Sequence, residues 1–266
     1  MAMNRIIVVT SGKGGVGKTT CTANLGMALA KSGKRVVVID ADFGLRNLDL
    51  LLGLENRIVY TALDVLAGEC RLDQALVKDK RQPNLALLPA AQNRSKESIT
   101  PEQMKKLVRA LTKAYNFVII DSPAGIEMGF RNAIAAAREA IIVTTPEISA
   151  VRDADRVIGL LEANDIKAMR LIINRLKPAM VEAEQMMSVK DVQDILAVPL
   201  LGVIPDDEQV VVSTNNGEPL ILGKELTQAG TAVSNIARRL QGEKVPLMDL
   251  SVPKASFFTK LRQLFN

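Results

Sequence analysis

The sequence predicts an α/β fold, a mostly parallel sheet with helices on both faces, and three observations carry that expectation. Short β-branched runs alternate with helix-length amphipathic segments along the 266 residues. The runs are almost continuously apolar, as strands covered on both faces must be. Between the first run and the first helical pattern lies a glycine-rich loop of the kind that sets a helix N-terminus against phosphate.

Taken in order, the runs at 6–10, 35–39, 85–88, 117–120, 140–144, 170–173 and 200–203 read as strands, because each is rich in Val, Ile or Leu and stops at polar or turn residues. Helical periodicity fills 19–32, 101–114, 128–137, 149–164, 188–196 and 224–240. Helices of that length supply the crossovers that parallel strands need. The length fits one large α/β domain or two small ones. Residues 242–253 contain Gly242, Pro246 and Pro253 with little periodicity, and read as a linker between a unit over 1–241 and a tail over 254–266.

Composition narrows the chemistry. Hydrophobic residues make up 48% of the chain, enough for a substantial core, and the net charge is +5. No apolar run approaches the roughly 18 residues of a membrane span. Arg5 leads straight into an apolar strand, so no signal peptide is expected. Cys21 and Cys70 have no metal spacing and read as reduced thiols of a cytoplasmic protein. Histidine is absent. Proton handling therefore falls to carboxylates or lysines.

Residues 11–20 read SGKGGVGKTT. Gly12, Gly17, Lys18 and Thr19 satisfy the P-loop pattern, and the strand before and helix after are the context its mechanism requires. Gly14, Gly15, Val16 and Gly17 allow the backbone N–H groups to curl around phosphate, Lys18 offers a point charge, and Thr19 offers a hydroxyl to Mg²⁺. Thr20 closes the motif and counts with Gly12 to Thr19 among the expected nucleotide-binding residues. Lys13 stands where an ordinary P-loop takes almost any residue. It reaches outward, either toward a nucleotide on a second subunit or simply into solvent.

Two strands end in aspartate, Asp40 after VVVI and Asp121 after FVII. At the carboxyl ends of a parallel sheet, either can hold a Mg²⁺-bound water, or can be a turn or N-cap residue. Asp42 lies two residues past the strand on a loop able to approach a terminal phosphate. It either orients the attacking water or makes an Asx-turn. The guanine-reading N-K-x-D pattern is missing; one strand instead ends at Asn174 and the next at Pro205 and Asp206.

Residues 256–266 read SFFTKLRQLFN. Phe257, Phe258, Leu261, Leu264 and Phe265 share one face of a helix, with three of the chain's six phenylalanines, while Lys254, Lys260 and Arg262 supply positive charge. This pattern suits a helix lying in an anionic membrane interface, or a helix docked on the protein's own core.

Lys13–Gly14–Gly15–Val16–Gly17–Lys18–Thr19–Thr20 resembles the deviant phosphate loop of the MinD/ParA family of dimerising P-loop ATPases. The likeness extends over essentially the whole chain, through DADFGLRNLDLLLG, FVIIDSPAG, TTPEISAVRDADR, IINR and the tail. It implies that ATP with Mg²⁺ is bound between two copies, with Lys13 acting in trans and Asp42 in the hydrolytic role. It also implies that Asn174, Pro205 and Asp206 meet adenine. The tail resembles the membrane-targeting helix of MinD-type members, which ParA-type members lack. The resemblance then implies a peripheral ATPase on the inner face of the membrane that places a cell or plastid division septum. Its partners would be a MinC-like division inhibitor and a MinE-like activator, with no specific nucleic acid. Arg152 and Asp153 fall where the family meets partners, although a surface charge network with Arg156 explains them as well. The main alternative is a ParA-type DNA-partitioning ATPase. An iron–sulfur reductase would need paired cluster cysteines, and a scaffold would make Lys18 and Asp42 dispensable.

Overall fold

The computed structural model describes residues 4–43, 46–91 and 99–250. Along the chain run β1 (Arg5–Thr10), α1 (Lys18–Lys31), β2 (Val36–Asp40), α2 (Leu48–Leu52), α3 (Ala62–Ala67), α4 (Leu72–Ala75), β3 (Val77–Lys78) and β4 (Leu85–Leu88). Then follow α5 (Pro101–Leu111), β5 (Phe117–Asp121), α6 (Met128–Ile134), β6 (Glu139–Thr144), α7 (Ile148–Ala163), β7 (Ala168–Leu176) and α8 (Pro178–Glu182). The series closes with α9 (Val189–Leu196), β8 (Leu200–Pro205), α10 (Glu208–Asn215) and α11 (Gln228–Leu240).

The strands of the described residues form one eight-stranded sheet in the order β3-β4-β2-β5-β1-β6-β7-β8. Every pairing is parallel except that of β3 with β4, an antiparallel edge of two residues. Alternation sorts the strand residues into two cores. Ile6 and Val8 of β1 join the core under α5, α6, α7 and α9, whereas Ile7 and Val9 join the core under α1, α2 and α11. Burying each such aliphatic side chain contributes about 1.5–3 kcal/mol. The sheet is stable because both faces are covered.

The seven expected strands are present, with β7 longer at both ends than the expected 170–173. Of the expected helices, the last begins at Gln228 rather than 224, because the Thr227 hydroxyl accepts the Gly230 N–H at 3.2 Å and fixes the start there. The helices expected to reach 114 and 137 stop at Leu111 and Ile134. Helices α2, α3, α4 and α8 and strand β3 carry six residues or fewer, too few for a periodic signal, and α10 buries no residue that would mark a face.

Residues 243–250 form neither helix nor strand. The Arg239 guanidinium nevertheless holds the carbonyls of Val245 and Pro246, at 2.8 and 2.6 Å, and that of Leu201 at 2.8 Å. The start of the expected linker is thereby pinned to β8. Lys254, Phe257, Phe258, Lys260, Leu261, Arg262, Leu264 and Phe265 lie outside the described residues. Among the described residues, no helix is long and apolar enough to cross a membrane.

Candidate functional site

β1 delivers the chain at the middle of the sheet, where Thr10 and Ser11 are buried. The loop then turns into α1 at Gly17, whose φ of 91° is left-handed. The position is doubly restricted, since a Cβ there would lie 2.3 Å from Asn174 Nδ2. At Gly12 a Cβ would lie 2.2 Å from the Asp153 carbonyl oxygen, so the start of the loop is pressed against α7. Both glycines are required by close approach as well as by the motif.

The two loop lysines diverge. Lys18 is buried, and its Nζ lies 3.0 Å from Asp121 Oδ1 and 3.2 Å from the Thr19 hydroxyl. Thr22 donates to the same Asp121 oxygen at 2.9 Å. Lys13 keeps 42% of its side chain exposed and points the other way, to Glu147 at 3.4 Å and Ser149 Oγ at 3.0 Å. It does not fold back toward the ground held by Lys18.

Asp40 and Asp121 are neighbours across β2 and β5, and both are buried. The Asp40 oxygens accept the backbone N–H groups of Asp42 at 2.9 Å and Leu48 at 3.3 Å. Asp40 thus holds the Asp42 loop and the start of α2. Burial above all, then the charges of Asp121 and Asp42, raises its pKa from 3.8 to about 7.

Above the loop, a cleft of about 720 Å³ is lined by Gly15, Lys18, Thr19, Asp42, Asn47 and Arg175, among others. A second cleft of about 1260 Å³ shares Gly17, Thr20 and Arg175 with it and runs on to Asn174, Pro205 and Asp206. The motif and the strand ends at β7 and β8 therefore border one continuous depression. Its first half suits phosphates; its second is walled by Met180, Met186, Met187 and Val233 and suits a flat apolar ring. Asn174 is buried and donates to the Val16 carbonyl at 2.8 Å, tying the strand end to the loop. Lys177 and Asp206 pair at 3.3 Å between the ends of β7 and β8.

The donors around the loop fit Mg²⁺. Thr19, Asp40 and Asp121, the expected set, offer hard oxygens, with Asp42 on the adjoining loop. The one thiol nearby, Cys21, is pushed up to about 12 by burial and by Asp121, and so stays protonated. Among the described residues, no three His, Cys, Asp or Glu side chains converge as a protein-only cage. That suits an ion completing its shell from phosphate and water. Cys21 and Cys70 are free thiols, as expected.

Sequence reasoning missed Glu147 and Ser149, which hold Lys13, and Arg175, which borders both clefts. The separation of 134 residues between Lys13 and Glu147 hides their meeting from any local pattern. Arg175 takes a left-handed φ of 58° at an irregular stretch of β7, which its sequence neighbours do not signal. At the start of α7, Arg156 pairs with Asp153 at 3.8 Å and i,i+3 spacing, and Arg152 is exposed.

A family profile described as the CobQ/CobB/MinD/ParA nucleotide binding domain matches residues 7–220. The chain is 66% identical, over 98% of both chains, to the septum site-determining protein MinD of Synechocystis. The chain belongs to the MinD family. Among solved MinD structures, that in the MinC:MinD cell division complex of Aquifex aeolicus is 51% identical, with a TM-score of 0.86 over 92% of this chain and 99% of that one. The MinD of Pyrococcus horikoshii, solved with Mg-ADP, is 34% identical, with a TM-score of 0.81 over 91% of this chain and 100% of that one. The MinD assignment covers the phosphate loop, the Asp42 loop and the strand ends alike.

Proposed function

We propose that this protein is an ATP-dependent, dimerising ATPase of the membrane's inner face. In this reading it places the division septum by recruiting a MinC-like inhibitor and detaches when a MinE-like activator triggers hydrolysis. The observation that carries the reading is the divergence of Lys13 and Lys18 from one loop. Lys18 exchanges Asp121 for the terminal phosphates of ATP, a charge swap that needs no net desolvation of the lysine. Lys13 leaves Glu147 and Ser149 and crosses to the nucleotide of a second copy, as an arginine finger does elsewhere. Asp42 orients the attacking water, with no histidine available for the task. Bound Mg²⁺ would neutralise phosphate charge, with Thr19 as direct ligand and the Asp40–Asp121 end of the sheet behind it. Asn174, Pro205 and Asp206 border the adenine.

Residues 1–241 form the ATPase unit in this proposal, 242–253 the linker and 254–266 the membrane helix. Each basic residue near an anionic surface contributes about 1 kcal/mol. One such tail grips lipid reversibly, as a single acyl chain does. Joining two in a dimer raises avidity by roughly 10²–10⁴. ATP then acts as a membrane switch. The test is sedimentation with anionic vesicles under ATP, ADP and a non-hydrolysable analogue, together with phosphate release. Retention only with ATP or the analogue is expected; equal retention in all states refutes the switch. Salt-dependent duplex DNA binding that survives deletion of 256–266 would favour a partitioning role instead.

A further inference from the structure

At the end of the sheet opposite the phosphate loop, a groove of about 730 Å³ lies between α5 and the turn before β6. Lys105, Lys106, Arg109 and Arg138 line it against a single carboxylate, Glu102, over a floor of Ile6 and the alanines at 135–137. All four cations are exposed. Among the described residues, none of them has a carboxylate within salt-bridge distance. Lys105 and Arg109 form an i,i+4 pair of like charge, which costs helix stability. Of the three on α5, only Arg109 sits in the last turn, where the helix dipole favours a cation. Glu102 stands i,i+4 before Lys106 and offsets one charge, which leaves a net excess of positive charge around one concavity.

The groove's position indicates what supplies the missing anion. The Arg138 N–H bonds the Ile6 carbonyl at 3.1 Å, fixing the groove's wall to β1. One residue earlier, the Arg5 guanidinium grips Glu139, next to Arg138, and also bonds the carbonyl of Leu240. Leu240 ends α11, from which the chain runs on toward 254–266. Arg5 thus joins the groove's edge to the end of α11. Among the described residues no aromatic side chain lines the groove, so there is no platform on which unpaired nucleic-acid bases could stack. We propose that this groove is a second membrane contact, seating the phosphate of anionic phospholipid headgroups at the end of the sheet where α11 closes. The inference rests on the membrane-bound reading above.

The test uses the full chain loaded with a non-hydrolysable ATP analogue, and vesicles of phosphatidylglycerol with phosphatidylcholine or of phosphatidylcholine alone. The variant K106Q/R109Q/R138Q removes three exposed charges far from the nucleotide. Each is worth about fivefold near an anionic surface, so affinity for the anionic vesicles should fall roughly a hundredfold per copy, and further for a dimer that loses both sets, with a shallower salt dependence. Analogue affinity, dimerisation and Tm should stay unchanged. If wild type and variant bind alike with the same salt dependence, the groove has no membrane role while the switch stands. If wild type itself is not retained, the membrane reading fails and the groove's role with it. Inorganic phosphate raising the Tm of wild type alone, with vesicle retention equal in both proteins, would make the groove a small-anion site and overturn the lipid assignment. Loss of duplex DNA retention in the variant without loss of vesicle retention would overturn it too.

Discussion

The phosphate loop depends on atoms that meet only because neighbouring residues cannot be larger. Gly17→Ala would force a Cβ into Asn174 Nδ2, 2.3 Å away, at a left-handed φ. A loss of stability of about 1–3 kcal/mol is expected, together with loss of ATP binding, read by urea unfolding and equilibrium nucleotide titration. Lys13→Ala should separate two functions of the loop. ATP binding should persist, because Lys13 points away from Lys18, while dimerisation and stimulated hydrolysis should fall, the latter by about 10³ or more. Gel filtration with the analogue and phosphate release check the two halves. Asp40 gives a third prediction. Its pKa of about 7 in the folded protein exceeds 3.8, so the folded state holds the proton more tightly. The stability it contributes is complete below pH 4 and is lost as pH rises toward 7, at most about 4 kcal/mol. Asp40→Asn should flatten that part of the pH dependence of the denaturation midpoint.

At the scale of elements, local chemistry fixes where helices begin. Thr100 accepts the Gln103 N–H at 3.2 Å, and the Gln103 side-chain oxygen accepts the Thr100 N–H at 2.8 Å, with Pro101 in the first turn. Thr100→Ala should cost about 1 kcal/mol in urea unfolding and leave ATP affinity intact, since α5 lies away from the nucleotide cleft. Buried α5 residues Met104, Leu107 and Val108 keep the helix in place once the cap is gone. The strands show the same division. Their apolar runs announce them, but the pairing order and the antiparallel edge at β3 come from which faces the helices cover.

For the molecule as a whole, the proposed function rests on separating two ends of one sheet. The strand carboxyl ends gather the loop lysines, the aspartates and the apolar cleft beside Asn174. The opposite end holds the basic groove and the close of α11. Deleting 256–266 should abolish analogue-dependent vesicle retention while leaving dimerisation and nucleotide binding unchanged, as sedimentation and gel filtration would show. Loss of nucleotide binding on the same deletion would instead place the tail within the fold. Short α2, α3, α4 and α8 are illegible because 4–6 residues span too few turns for a repeat to register, whereas α10 has the length of α9 but no buried face.

The sequence by itself determined the alternation of strands and crossover helices, the phosphate loop with its flanking elements, and the aspartates at two strand ends. These signals are local: hydrophobic periodicity and backbone chemistry act within a few residues. Tertiary structure alone decided that Asp121 receives Lys18, that Asp40 holds the Asp42 loop, that Glu147 receives Lys13 and that Arg175 borders both clefts. Those partners, apart from Asp40 and its own loop, are remote in the chain, and only the packing of the sheet brings their side chains within reach.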